Sequence, residues 1–289
     1  MSAKRTESVA PGSQRSRGFL MRIGWLACMV VVVGLSPGAV AQEVAQSGAA
    51  ERRPQARTQQ ERDDFNHAYA LTGGSAAELA ADNFASRYSH SELRRYLYSS
   101  AMLQYQRENN SAKMLAMGEK VLALDPDDPL ALVLTATVLA DSLGDHDRDR
   151  ERKVGAISRN ATRAIQSAEN GFGSAGASST AALYKNTLQS MAYSALGIMK
   201  LKTGDDAGAE RDLRLAADLS KFRPDPYVWY HLAIAQDHRK RYTAALNSVE
   251  QALQLASSNP ELQKLAEAEH ERLAGLAKGS RNPGTAEPQ

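Results

Sequence analysis

The sequence predicts an all-α chain, an α-solenoid of stacked helix-turn-helix repeats. Three observations predict it. Apolar residues recur at spacings of three and four along most of the chain, and alternating β-branched runs are absent. Clusters of Gly, Pro, Asp and Asn cut that pattern into segments of helical length, at Thr72-Gly73-Gly74, Asn109-Asn110, Asp125 to Pro129, Gly144-Asp145, Gly204-Asp205, Arg223 to Pro226 and Asn259-Pro260. The pattern also repeats on itself. Aligning Leu196-Gly197 with Leu232-Ala233 places Ala209 on Ala245, Ala216 on Ala252 and Leu219 on Leu255, each at an offset of 36 residues. With 289 residues and 43% hydrophobic content, the chain has material for a sizeable core, and wholesale disorder is excluded.

From the N-terminus, residues 1–41 read as a cleavable secretory signal. Lys4, Arg5, Arg15, Arg17 and Arg22 supply a basic stretch. Residues 23–35 form a 13-residue apolar run, shorter than the roughly 20 residues a spanning helix needs. Ala39-Val40-Ala41 then supplies small residues for cleavage after Ala41. Met21 opens a compact signal by itself, and no adjacent arginine pair precedes the apolar run, which disfavours a twin-arginine route. Cys28, the only cysteine, lies inside that run and not after it, so it is not placed for lipid attachment. These features predict an exported, periplasmic or secreted protein with no thiol chemistry and no membrane span after cleavage. Removing the signal leaves 30 basic and 32 acidic residues. Such a surface has no excess positive charge for phosphates, so no nucleic-acid partner is expected.

Residues 42–61 are polar and Gln/Arg/Ala-rich, a flexible leader. Residues 62–169 hold degenerate helical units. An atypical pair over 62–90 comes first. Arg95 to Asp128 follows, with Tyr98, Ala101, Tyr105 and a closing Leu124-Asp125-Pro126. Pro129 to Glu169 carries Leu132, Ala136 and Leu139, an insertion near 145–153, then Ala161, Ala164 and Ile165. Residues 170–179 read as a Gly/Ser/Ala-rich connection. Residues 180–259 hold a lead-in helix and the two best units, Ser190 to Arg223 and Pro226 to Asn259. A capping helix over 260–277 and a disordered tail over 278–289 end the chain.

These units resemble the tetratricopeptide-repeat family, whose unit is a 34-residue helix-turn-helix. In the last unit Trp229 matches the large fourth residue, Leu232-Ala233 the seventh and eighth, Tyr242 the seventeenth, Ala245 the twentieth and Ala252 the twenty-seventh. The unit before it offers Tyr193, Leu196-Gly197, Ala209 and Ala216. Small residues there let helices approach closely; Met102 and Met114 depart from the pattern. The resemblance implies a concave groove lined by the first helix of each unit. Carried over, its binding positions are Tyr96, Ser99, Ser100, Leu103, Gln106 and Arg107 in one unit, and Tyr227, Tyr230, His231, Ile234, Asp237 and His238 in another. The carboxylate-clamp mode is not supported, since Ser99, Val133, Ser194 and Leu103 stand where it needs Lys and Asn. The implied function is that of a protein-interaction adaptor or scaffold holding a partner peptide or helix, with no cofactor, no metal, no small-molecule substrate and no catalysis. The alternative is a structural subunit of an envelope assembly or secretion machine.

Chemical motifs fail on context. Gly171-Phe172-Gly173-Ser174-Ala175-Gly176 matches a dinucleotide loop but follows a helical pattern where a strand is needed. Gly34-Leu35-Ser36-Pro37-Gly38 matches a nucleophile elbow but lies in the signal. Asp145, Asp147 and Asp149 alternate like a calcium loop, yet Arg150 and Ala156 occupy the positions that need Gly and Glu. They read as a charge-laced helix start. His270-Glu271 lacks the second His of a zinc protease, with Ala274 in its place. His231 and His238 stand about 10 Å apart along one helix, too far for one metal.

Overall fold

The structure, a computed structural model, describes residues 54–172 and 178–280. The expected signal with Met21 and Cys28, most of the leader, the centre of the 170–179 connection and the end of the tail lie outside the described residues. Every regular element among them is a helix: α1 Gln59–Tyr69, α2 Gly74–Arg87, α3 Arg94–Arg107, α4 Ser111–Leu124, α5 Pro129–Ser142, α6 Arg150–Phe172, α7 Ser179–Thr203, α8 Asp206–Leu219, α9 Pro226–His238, α10 Tyr242–Leu255 and α11 Pro260–Ser280. None of these is long and apolar enough to cross a membrane.

The helix starts coincide with the breaks in the sequence because those breaks carry capping residues. Asn110, Asp128, Ser178, Asp205 and Asp225 each accept, through the side chain, a backbone N–H of the first turn of α4, α5, α7, α8 and α9. Pro129 and Pro226 open their helices where no donor is lost. At the other end of α7, Gly204 takes φ 85°, the left-handed conformation that closes a helix and suits glycine.

Each helix packs on its successor, and first helices of adjacent units also touch, as α5 does on α7. This is stacking of helix pairs, the arrangement of a solenoid. One core runs from Ala77 and Phe84 through Met102, Met114, Leu132, Ile157 and Ile198 to Tyr227, Ala256 and Leu262. The methionines of the degenerate unit are interior: Met102, Met114 and Met117 are buried, flexible side chains filling the space that a small-residue pattern would have closed. The close approach predicted at Gly197 is real, since a Cβ there would stand 2.5 Å from Leu213 Cγ.

Three boundaries differ from the sequence reading. α1 begins at Gln59, inside the expected leader, because Thr58 caps it and accepts from Glu61 N. α6 reaches Phe172, and α7 starts at Ser179. The connection is therefore short and its flanks are joined: Phe172 meets Tyr184 edge-on at 5.1 Å, and Glu169 takes Gln189 Nε2 at 3.1 Å and pairs with Lys185 at 3.3 Å. α11 continues to Ser280, past the expected end at 277, with Leu262, Ala266, Leu273 and Ala277 keeping one buried face.

Candidate functional site

α3 and α9 are first helices of their units, and each divides into buried and half-buried positions. In α3, Leu97, Tyr98, Ala101, Met102 and Tyr105 enter the core. Tyr96, Ser99, Ser100 and Leu103 stay half-buried, and Arg107 is exposed. Tyr96 is held in place: Arg95 pairs with Asp125, donates to Tyr96 Oη at 2.8 Å and lies over the ring at 4.7 Å. Gln106 is a correction, because at 5% exposure it lies inside the stack and presents nothing to a partner.

α9 repeats the division. Leu232, Ala233, Ala235 and Gln236 are buried, while Tyr230, His231, Ile234 and Asp237 are half-buried and His238 is exposed. Tyr227 is the second correction. It is 3% exposed and its Oη accepts from Asn259 Nδ2 at 2.7 Å, because the first turn of α9 sits against the core where the α10–α11 turn reaches over it. The polar members are engaged within the protein: Asp237 pairs with Arg272 at 2.6 Å, and His238 Nδ1 meets Asp206 at 2.8 Å. The structure thus keeps the sets on α3 and α9 apart, with α5 and α7 between them in the stack.

At the equivalent positions of those central helices the character changes. Val133, Leu134, Thr137 and Ala140 of α5 are buried, as are Ser194, Ala195 and Ile198 of α7. α5 is apolar all round, and such a helix belongs in an interior. The ends of these helices carry residues the sequence reading missed, Asp141 and Lys202, with Asp225 capping α9. Asp141 and Lys202 occupy the thirteenth place of their units, the place of Arg107 and His238 in the units that were read. Applying the same register to all four units would have found them.

Electrostatics single out the ends of α5 and α7 and the start of α9. Lys202 Nζ donates to the carbonyls of Ala140 and Asp141, at 2.8 and 2.6 Å, tying the end of α7 to the end of α5. Asp141 is exposed at the end of α5, yet the protein packed around that end removes enough water from its carboxyl to raise it to about 7, against the opposing pull of Lys202 and with Asp225 adding to the rise. Burial also drives Asp225 to about 6 although two backbone N–H groups favour its charge. Tyr230 is pushed up to about 12 by burial, helped by Glu269. For His231, burial lowers the ring to about 4, outweighing its bond to Tyr227 O and helped by the charge of Lys202. Its Nδ1 must donate to that carbonyl, 2.8 Å away, leaving Nε2 unprotonated.

His231 should titrate near pH 4 and hold the Nδ1–H tautomer at neutrality, read from ring shifts in an NMR titration. Because its folded value lies below the unfolded 6.5, its neutral form favours folding above that pH, and this contribution is lost as pH falls from about 6.5 toward 4. A measured value above 6 would overturn the enclosed placement.

The motif readings resolve locally. Asp145, Asp147 and Asp149 pair with Arg150, Lys153 and Arg152, the charge-laced helix start expected. His270 faces Glu250 at 3.3 Å, while His231 and His238 have different partners. The described residues contain no group of three His, Cys, Asp or Glu able to hold a metal ion.

No family model matches the chain, and no curated protein does. Among solved structures the chain is similar to a thermophilic TPR protein of Thermus thermophilus, at 16% identity and a TM-score of 0.45, over 72% of this chain and 98% of that one. A likeness of that size adds no weight to the functional reading. The fold rests on the molecule's own geometry, an all-α stack of consecutive helix pairs.

Proposed function

We propose that this chain is an exported, periplasmic adaptor that holds a segment of a partner protein on the inner side of its helix stack and catalyses no reaction. One observation carries the reading. Tyr96 and Leu103 on α3, and Tyr230 and Ile234 on α9, remain half-buried, with Tyr96, Leu103 and Tyr230 resting against the core and part of each residue left uncovered. Aromatic and aliphatic groups in that state bury more surface when a peptide or helix covers them, and aromatic groups dominate such contacts. The engagement of Asp237 by Arg272 and of His238 by Asp206 supports a binding role over a chemical one. Export is supported by residues 1–41, with their basic stretch, 13-residue apolar run and small-residue site.

The test is a crosslinked pull-down from envelope extract, using the full chain beside Tyr96→Ala/Leu103→Ala and Tyr230→Ala/Ile234→Ala variants shown to remain helical. One partner should be lost from a variant while background proteins persist, with each aromatic truncation weakening binding by about 30-fold, on the order of 2 kcal/mol. Survival of every partner in both variants would overturn the inner-face assignment. Recovery of the protein only in the cytoplasm would overturn export. A stable complex of fixed stoichiometry would instead identify a structural subunit of an envelope assembly.

A further inference from the structure

The turn between α9 and α10 gathers more positive charge than its surroundings balance. His238, Arg239, Lys240 and Arg241 follow one another there, all exposed. Arg239 and Arg241 each donate one hydrogen bond to the buried carboxylate of Glu210 on α8, and Arg214, one turn along that helix, donates a third at 2.5 Å. Counting Lys240, α8 and the turn bring four cations to one carboxylate. The three guanidinium groups are about half exposed, while Glu210 is closed off beneath them. A guanidinium carries five N–H donors. Among the described residues these three make no side-chain hydrogen bond or ion pair except to Glu210, and the Lys240 ammonium makes none. The acids nearby are engaged elsewhere: Asp205 caps α8, Asp206 meets His238 at 2.8 Å, and Asp237 and Asp212 pair with Arg272 and Lys200, each at 2.6 Å. The turn itself is fixed, since Lys240 N and Arg241 N donate to Asp237 O and Gln236 O at 2.7 and 2.9 Å.

From these contacts we infer that the α9–α10 turn, together with Arg214 of α8, binds an acidic segment of a partner protein, with Arg214, Arg239 and Arg241 taking its carboxylates and Lys240 adding charge. This surface goes beyond the groove of the adaptor reading, since none of its four cations is a groove position. Charge complementarity carries it. The guanidinium groups already hold one carboxylate, and their remaining donors keep the planar fork that suits another. Glu210 also positions them: a charge-assisted hydrogen bond to each fixes the long side chains, so less freedom is lost when a second anion arrives. The size of the patch selects a short segment. Without residues 1–41 the chain carries 30 basic and 32 acidic residues, so the surplus is local. Exposed charges are screened over about 8 Å at physiological salt. A few Asp or Glu side chains on a peptide segment meet only the patch, whereas a nucleic acid or an anionic membrane would also meet the acidic surface around it.

Fluorescence anisotropy with three labelled peptides tests this. They share one Gly/Ser pattern and carry Glu, Gln or Lys at the remaining positions. The full chain should bind the Glu peptide about tenfold more tightly than the Gln peptide, and that preference should fade as salt is raised. Arg239→Gln/Arg241→Gln, which leaves Arg214 on Glu210, should cost about tenfold for the Glu peptide. Lys240→Gly should cost about threefold with the helical signal and urea midpoint kept, because glycine accepts φ 60° and only the charge is lost. Lys264→Gln, which removes an exposed lysine of α11, should change nothing. Equal binding of the three peptides, or unchanged Glu-peptide binding in both turn variants, would overturn the inference and leave the groove reading standing. Loss of the Glu peptide in Tyr230→Ala would put the acidic segment in the groove and overturn the separate surface. Capture by phosphatidylglycerol vesicles without binding of the Glu peptide would overturn the protein partner in favour of an anionic lipid.

Discussion

Glu210→Ala should lower the free energy of unfolding by about 3 kcal/mol, read as a lower urea midpoint at unchanged slope. Glu210 sits on α8 with its side chain 4% exposed, and three guanidinium groups converge on it. Arg214 reaches it from the same helix at 2.5 Å, while Arg239 and Arg241 reach it from the α9–α10 turn. That turn is demanding, because Lys240 takes φ 60°, a conformation that non-glycine side chains rarely adopt. The carboxylate pins one repeat to the turn of the next. Its loss leaves three like charges close together and a strained turn without its anchor. The arginines are about half exposed, so water relieves part of the penalty and the cost falls at the lower end of the range for a broken buried pair. Glu210→Gln keeps the shape and loses the charge, so it should fall between the two. The arginines hold the carboxyl below its usual range against the effect of burial. Its stabilisation is then present above the unfolded value of 4.5 and is lost as pH falls through the folded one, and the Gln variant should lack that acid sensitivity. A cost within about 0.5 kcal/mol would mark the cluster as an ordinary surface feature.

Leu213→Ala should cost about 3 kcal/mol, the usual loss for emptying a fully buried leucine site. Leu213 has 0% exposure and packs between α7 and α9, with Leu232 and Ala235 in its cluster. Gly197→Ala presents the converse problem. A new Cβ would lie 2.5 Å from Leu213 Cγ and 3.0 Å from Cδ2, so the helices must move apart. That strain, of about 1–3 kcal/mol, exceeds the gain of about 1 kcal/mol that alanine brings over glycine within a helix. Combining the two changes lets the new methyl occupy the space the leucine leaves. The double variant should therefore be less destabilised than the two single costs added together, by about 1 kcal/mol or more in a double-mutant cycle. Strict additivity would show that glycine is not required there for close packing.

Helices and their joints were legible because their causes are local. Asn110, Asp128, Asp205 and Asp225 stand in the sequence as helix caps, and the structure uses each as one. Exposure along the first helices was legible in part, since position along a helix predicts direction but not what lies opposite. Tyr96, Leu103, Tyr230 and Ile234 remain half-buried. Tyr227 and Gln106 share their register but are buried, Tyr227 under a turn from another repeat. α5 offered a readable warning, as its segment PLALVLTATVLADS has no polar stripe to leave on a surface.

By itself, the sequence determined that this protein is helical, where most of its helices start, and that they form repeating pairs. Those properties follow from spacings of three and four residues and from caps within one turn. Only the tertiary structure decided which polar groups face one another. Asp141, Lys202 and Asp225 are separated by 61 and 23 residues along the chain, and Glu210 gathers arginines from two repeats. No periodicity encodes such meetings. They depend on how closely successive repeats approach, and Gly197, Leu213 and the buried face of α5 set that distance through packing.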